Sequence, residues 1–248
     1  MSPKATLFPE SYAGGFSRVD GTVQFYMRVR ALLRPDDTVL DLGAGRGVGL
    51  IDDPVTYRRD LRTLRGHCQE VIGCDVGEAV LTNPGLDRAF LIPESGKLDL
   101  EDASIDLILS DHVIEHIVDP ASFSAEVARV LKPGGWFCAR TPNRWGYIAI
   151  ASRLVPNHLH ARVLAKVQDG RKEEDVFPTV YQMNTGVALR RWFPAQAWRR
   201  HCSYAWESEP GYFGRSAMAW RAVMVATKFL PRSMASTLLV FIQKREAV

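Results

Sequence analysis

Residues 39–47 read Val39-Leu40-Asp41-Leu42-Gly43-Ala44-Gly45-Arg46-Gly47. An apolar run rich in Val and Leu enters a loop with glycine at alternate positions. Glycine reaches positive φ and lets a ligand approach bare backbone. In open α/β sheets, ligands sit outside the carboxyl ends of the strands. The stretch therefore predicts a strand that delivers a ligand-binding loop over 43–47, with the Asp41 carboxylate at its mouth. The spacing is G-x-G-x-G, whereas the dinucleotide fingerprint of nicotinamide enzymes is G-x-G-x-x-G. A NAD-dependent oxidoreductase is thus the weaker reading of the loop.

Working outward, residues 22–34 carry apolar positions at helical spacing and stop at Pro35. Asp52-Asp53-Pro54 has the form of a helix start, an N-cap acid followed by proline in the first turn, and that helix ends at Gly66. Strands are expected over 38–42, 71–75, 89–92, 105–110, 136–140 and 238–243. A helix is expected over 121–131, closed by a Lys132-Pro133-Gly134-Gly135 turn. This alternation predicts an α/β fold with a doubly wound, mainly parallel sheet. After Pro142 the text turns aromatic and rich in His and Arg, with no clear strand. Residues 143–200 read as helices and loops covering the ligand crevice, and residues 1–21, with glycines at 14 and 15, as an N-terminal lid on the same single domain.

The chain has 248 residues, 46% apolar and 24% charged, a composition suited to a globular protein with a full core. A net charge of +3 is too small to imply a nucleic-acid partner. Cys68, Cys74, Cys138 and Cys202 form no metal-ligand spacing and read as reduced, mostly buried thiols of a cytoplasmic protein. The stretch from Ala217 to Ile242 is the most apolar, but Arg221, Lys228, Pro231 and Arg232 interrupt it, so no transmembrane segment is expected. The N-terminus shows no apolar signal-peptide region.

Asp75 ends the second expected strand, where an acid hydrogen-bonds ribose hydroxyls in this architecture. It also fits a helix N-cap, since Gly77 and Glu78 follow. Further on come Leu98-Asp99-Leu100-Glu101-Asp102-Ala103-Ser104-Ile105-Asp106-Leu107-Ile108, then Val113-Ile114-Glu115-His116, then Val130-Leu131-Lys132-Pro133-Gly134-Gly135. With the glycine loop these make four motifs in order over about residues 37–142. Together they resemble class I S-adenosylmethionine-dependent methyltransferases of the small-molecule, methyltransferase-11-like type. The resemblance implies a seven-stranded Rossmann-like sheet, S-adenosylmethionine as cofactor, and a cofactor site at Asp41, Gly43, Ala44, Gly45, Gly47, Asp75, Val76, Glu94, Ser95 and Ser110. Glu94 stands where that family often has an acid on the adenine amino group, although the local text is Ile-Pro-Glu-Ser-Gly. The spacing departs as well: Asp75 lies 28 positions after Gly47, against about 20 in the general pattern. The excess falls in 49–60.

A sulfonium methyl group leaves by direct displacement, so the protein's contribution is orientation and partial desolvation, without a metal. Backbone N–H groups around Gly43 and Gly45 are expected to hold the methionine carboxylate. His112 and Asp111 are the candidates for a general base toward an acceptor O or N; Glu115 and His116 are expected to orient the loop. The small-molecule acceptor, a glycan, lipid-linked compound or secondary metabolite, is expected against the cover segment. Asn157, His158, His160, Tyr181 and Asn184 supply its polar groups there, and Trp145, Tyr147 and Phe177 its apolar faces. Arg58, Arg59, Arg62 and Arg65, and separately Arg190, Arg191, Arg199 and Arg200, read as solvated faces or as attractors of an anionic acceptor with peripheral membrane contact. A domain that binds the cofactor without turnover is the alternative. Nothing in the sequence reports the oligomeric state.

Overall fold

The computed structural model describes residues 6–146, 149–150, 178–205 and 216–246. Its centre is a seven-stranded sheet of order β3-β2-β1-β4-β5-β7-β6. The strands are β1 (Thr38–Leu42), β2 (Glu70–Asp75), β3 (Arg88–Leu91), β4 (Ile105–Asp111), β5 (Leu131–Pro142), β6 (Trp198–Ala205) and β7 (Thr237–Lys244). β1 to β5 pair in parallel, and β7 runs antiparallel between β5 and β6. The helices that matter below are α1 (Gly21–Leu32), α2 (Val48–Ile51), α3 (Thr56–Arg62), α4 (Pro120–Val130), α5 (Gly186–Trp192) and α6 (Ala217–Phe229). No helix among the described residues is long and apolar enough to cross a membrane.

Strand side chains alternate between faces, and that alternation builds two cores. Leu40, Leu42, Ile72, Cys74, Ile108, Phe137 and Ala139 pack on one face with Val127 and Val130 of α4. Val39, Val71, Leu107, Leu109 and Cys138 pack on the other with Phe25, Tyr26 and Val29 of α1. Ile105 and Leu107 are two residues apart yet lie in opposite cores. The pairing of β4 with β5 shifts register between them, as a bulge does. The shift absorbs the expected 132–135 turn, so β5 begins at Leu131 rather than Trp136. Asp106 ties the region together, accepting from the Thr38 amide (2.9 Å) and from Lys132 Nζ (2.7 Å).

Two expectations are corrected. Residues 198–200, read as part of a strandless cover, begin β6, whose polar and basic sequence lacks apolar alternation because it lies at the sheet's edge. The helix expected from Asp52-Asp53-Pro54 starts two residues later, at Thr56, with no side-chain cap. Asp53 instead accepts from the Val55 amide (3.0 Å) and from Arg58 and Arg62. Arg58 also reaches Asp20 (2.8 Å), whose other oxygen caps α1 at the Val23 amide (3.0 Å). The arginines of α3 at 58 and 62 are therefore spent on internal pairs rather than on solvent. The N-terminal segment is docked against the same turn: Phe16 stacks on Tyr57 at 5.1 Å, and Phe8 is buried.

Burial opposes charge on Asp53, but Arg58, the Val55 amide and Arg62 outweigh it and hold its pKa at about 2. Asp53→Asn leaves the guanidiniums under-answered and is expected to cost about 3 kcal/mol, a fall in Tm of roughly 6–12 °C. A depressed carboxylate stabilises above its unfolded pKa and loses that contribution as pH falls toward 2. The Tm gap between the two proteins should therefore shrink between pH 5 and pH 2.5. A gap independent of pH overturns the assignment.

Candidate active site

Neighbouring β2, β1 and β4 bring Asp75, Asp41 and Asp111 to the carboxyl edge of the sheet, in register through the Asp41–Gly73 and Asp41–Leu109 pairs. The loop after β1 is fixed by its neighbours. The Gly43 and Ala44 amides donate to the Cys74 carbonyl (2.7 and 3.2 Å), and the Gly45 amide donates to Asp75 Oδ2 (3.0 Å). The Gly43, Ala44 and Gly45 amides are thus engaged inside the protein. Asp75 Oδ1 accepts from the Gly77 amide (2.9 Å). The contact is a local one to the residue two ahead rather than a helix cap, since Gly77 is the N-cap of the following turn and takes no side-chain cap bond; the same carboxylate also steadies the glycine loop. Each of its oxygens keeps a second lone pair.

The three glycines differ in what surrounds them. A Cβ on Gly43 lies 2.3 Å from Val113, and one on Gly47 lies 2.6 Å from Asn83 Oδ1. Among the described residues, a Cβ on Gly45 (φ +49°) meets only Asp75 Oδ2, at 4.0 Å. Gly43 and Gly47 are closed by protein, while Gly45 faces open space at the crevice. Asn83 was not singled out from the sequence, yet its Nδ2 donates to the Ala44 and Gly45 carbonyls (3.0 and 3.1 Å) and its Oδ1 accepts from Gly85 (2.9 Å). Its only signal is the Asn83-Pro84-Gly85 turn text. Val76 is 63% exposed at the rim. Glu94 and Ser95 lie on an exposed turn that the Ile92 amide ties to the Asp75 carbonyl (2.8 Å). Ser110 is fully buried, and its hydroxyl has no partner among the described residues.

Asp111 is held in a fork by Arg140, Nε to Oδ1 at 2.7 Å and Nη2 to Oδ2 at 2.8 Å, and Tyr26 donates to Oδ2 at 3.0 Å. Arg140 is 6% exposed and also reaches Thr22 Oγ1 of α1 (2.8 Å). Burial opposes the Asp111 charge, but Arg140 and His112 prevail and hold its pKa at about 2. So acidic and so fully engaged a carboxylate is a poor proton acceptor, which argues against Asp111 as general base. Asp41 is the reverse case. Burial, then the charges of Asp111 and Asp75, push it up to about 7.

His112 follows β4 in left-handed backbone (φ +62°), its amide donating to the Arg140 carbonyl (2.8 Å). Its Nδ1 lies 3.3 Å from Glu115 Oε1, and its side chain is half exposed. Burial lowers its pKa, but the Glu115 contact and Asp111 prevail, so it lies above the usual histidine value. Glu115 is 3% exposed; its Oε2 accepts from Thr141 Oγ1 (2.9 Å) and its carbonyl from the Val180 and Tyr181 amides (2.8 and 3.1 Å). Asn184 Nδ2 donates to Thr141 Oγ1 (2.5 Å) and to the Pro142 carbonyl (3.0 Å). Fully buried, Asn184 clasps the returning cover segment to β5 through its Nδ2. Tyr181 (φ +52°) belongs to the same clasp through its backbone. His116 Nδ1 is 2.8 Å from the Pro178 carbonyl, an orienting contact as expected. Tyr147, Asn157, His158, His160 and Phe177 lie outside the described residues.

Residues 40–139 match the family described as methyltransferase domain. A probable S-adenosylmethionine-dependent methyltransferase of Mycolicibacterium smegmatis is 37% identical over 43% of this chain and 38% of its own. The ubiquinone biosynthesis O-methyltransferase of Parvibaculum lavamentivorans is 27% identical over 67% of this chain and 63% of its own. The chain thus spans less than two thirds of the length of either relative. The structure of an S-adenosylmethionine-dependent methyltransferase from Archaeoglobus fulgidus superposes with a TM-score of 0.52 at 17% identity, over 97% of this chain and 99% of the other, a likeness of fold.

In an NMR titration, His112 should show a midpoint above 6.5, and Glu115→Gln should lower it, since burial then acts with less opposition. An unchanged midpoint in the variant rules out the Glu115 pairing.

Proposed function

Residues 40–139 form a methyltransferase domain of the class I S-adenosylmethionine-dependent family, and from that premise we propose that the protein methylates an oxygen or nitrogen of a small-molecule acceptor. The observation that carries this reading is the open Gly45 position facing Asp75. A cradle that a single Cβ would fill, beside an acceptor-only carboxylate, fits a nucleoside whose ribose hydroxyls donate to Asp75. The unpartnered Ser110 hydroxyl and the exposed Val76 and Glu94 at the rim suit the same ligand. S-adenosylmethionine, the cofactor of this family, supplies the activated methyl group when bound. The likeness to ubiquinone O-methyltransferases supports a small-molecule acceptor and favours oxygen.

Within this proposal His112 takes the acceptor's proton. Nδ1 turned to Glu115 leaves Nε2 as the basic nitrogen, and the pKa above the usual value suits proton removal near neutral pH. Glu115, itself held by Thr141, orients the ring, and Arg140 keeps Asp111 ionised behind it. The segment 178–185, clasped to Glu115 and β5, forms part of the wall against which the acceptor lies.

Calorimetric titration is expected to show one site for S-adenosylmethionine. Gly45→Val should abolish it while shifting Tm by no more than roughly 6 °C, the scale of left-handed strain at one residue. Unaltered affinity in the folded variant sinks the assignment, and labelled cofactor with candidate phenols, glycans and lipids then reads turnover. Asp41 gives an independent check. A carboxyl whose pKa is raised to about 7 loses stability as pH rises from about 4 to 7. Asp41→Asn should melt at least about 2 °C higher at pH 8, have a smaller advantage at pH 5 and lose it by about pH 4, and bind the cationic cofactor more weakly. A lower Tm at pH 8 contradicts it.

A further inference from the structure

Helix α6 presents an apolar stripe to solvent. Met218 is 81% exposed, Val225 53% and Phe229 84%, and Ala222 between them is also exposed. Their spacing of i, i+4, i+7 and i+11 places all four on one face. The buried Trp220 lies on the opposite side, against the protein. Arg221, Lys228 and, just beyond the helix, Arg232 are all exposed. From Ser216 to Arg245 the sequence contains no Asp or Glu. The helix has 13 residues, too short to span a bilayer.

Sheet topology places the two ends of the connection that carries this stripe. β6 ends at Ala205, which pairs with Thr237 at the start of β7, and Thr237 pairs with Pro142 at the end of β5. The connection that carries α6 thus leaves and re-enters the sheet at its ligand edge, the edge that holds Asp75, Asp41 and His112.

We propose that the exposed face of α6 docks on an anionic membrane surface. A linear apolar stripe with basic residues beside it, and no acid in the sequence from Ser216 to Arg245, matches an interface of acyl chains beneath negative headgroups. A protein partner with acidic groups is the competing occupant. It would commonly meet a broader patch with a polar rim, and the stripe is a single helix face wide. Docking there turns the ligand edge toward the bilayer. If the protein is the methyltransferase proposed above, the acceptor is then an amphiphile presented from the membrane.

The test is co-sedimentation of the full chain with vesicles of phosphatidylglycerol and phosphatidylcholine, or of phosphatidylcholine alone. Binding should be at least about tenfold stronger to the anionic vesicles and weaken with added salt. The double variants Met218→Ser with Phe229→Ser, and Arg221→Ser with Lys228→Ser, should each reduce it about tenfold or more. Both should keep the Tm and the S-adenosylmethionine affinity of the parent. Absence of sedimentation with either vesicle overturns the proposal. So does native-like sedimentation of both variants, or concentration-dependent self-association in light scattering that the Met218→Ser, Phe229→Ser variant abolishes. Vesicle binding without cofactor binding would overturn the methyltransferase reading and leave the docking surface standing; cofactor binding without vesicle binding would do the opposite.

Discussion

Three carboxylates stand side by side at one edge of a parallel sheet, and the protein answers each by different means. Adjacent parallel strands end in line, so the acids that close β2, β1 and β4 are brought together by backbone geometry whatever their mutual repulsion. Asp111 is met by a full guanidinium fork and stays ionised. Asp75 is met by two backbone amides, which cost no side-chain order and fix the loop that follows β1. Asp41 has neither, and with a negative neighbour on each side it holds its proton up to about neutral pH. Burial of charge without a partner is expensive. The edge is therefore poised for a cationic ligand, which would supply the third answer.

A fourth carboxylate, Glu115, organises the other half of the site. Buried in the loop after β4, it fixes His112 on one oxygen and Thr141 on the other, and its carbonyl receives the returning chain at 180 and 181. His112 and Tyr181, the residues on either side of it, both adopt left-handed backbone that non-glycine residues rarely choose. Strain of that kind persists where the surroundings over-determine it. Here two segments more than sixty residues apart are held to one acid.

The sheet was legible because its signals are local. The Val39–Gly47 text, the apolar run of β4 and the helix over 120–130 each carry their fold within a few residues. Five parallel strands and the last strand followed from them. β6 did not, because Trp198–Ala205 is polar and basic and its strand character comes from pairing with β7. Within the site, Asp75 and the glycines were legible by position. Arg140, Asn83 and Thr141 were not: nothing near Arg140 in sequence announces that its partner is Asp111, or that Asn83 clasps a loop 39 residues earlier. Asp53 misled for the same reason. Its neighbours in sequence spell a helix cap, while its partners are two arginines that only the folded α3 brings round.

The sheet order has a consequence for how the chain is made. β7 lies between β5 and β6, and it is synthesised after both. Until residues 237–244 emerge from the ribosome, β5 has a bare edge and β6 has no strand beside it, since β7 is its sole partner among the described residues. Open strand edges recruit other chains. Nascent chains stalled before this point are therefore expected to be the aggregation-prone species. Expression fragments that stop short of Lys244 inherit the same two open edges.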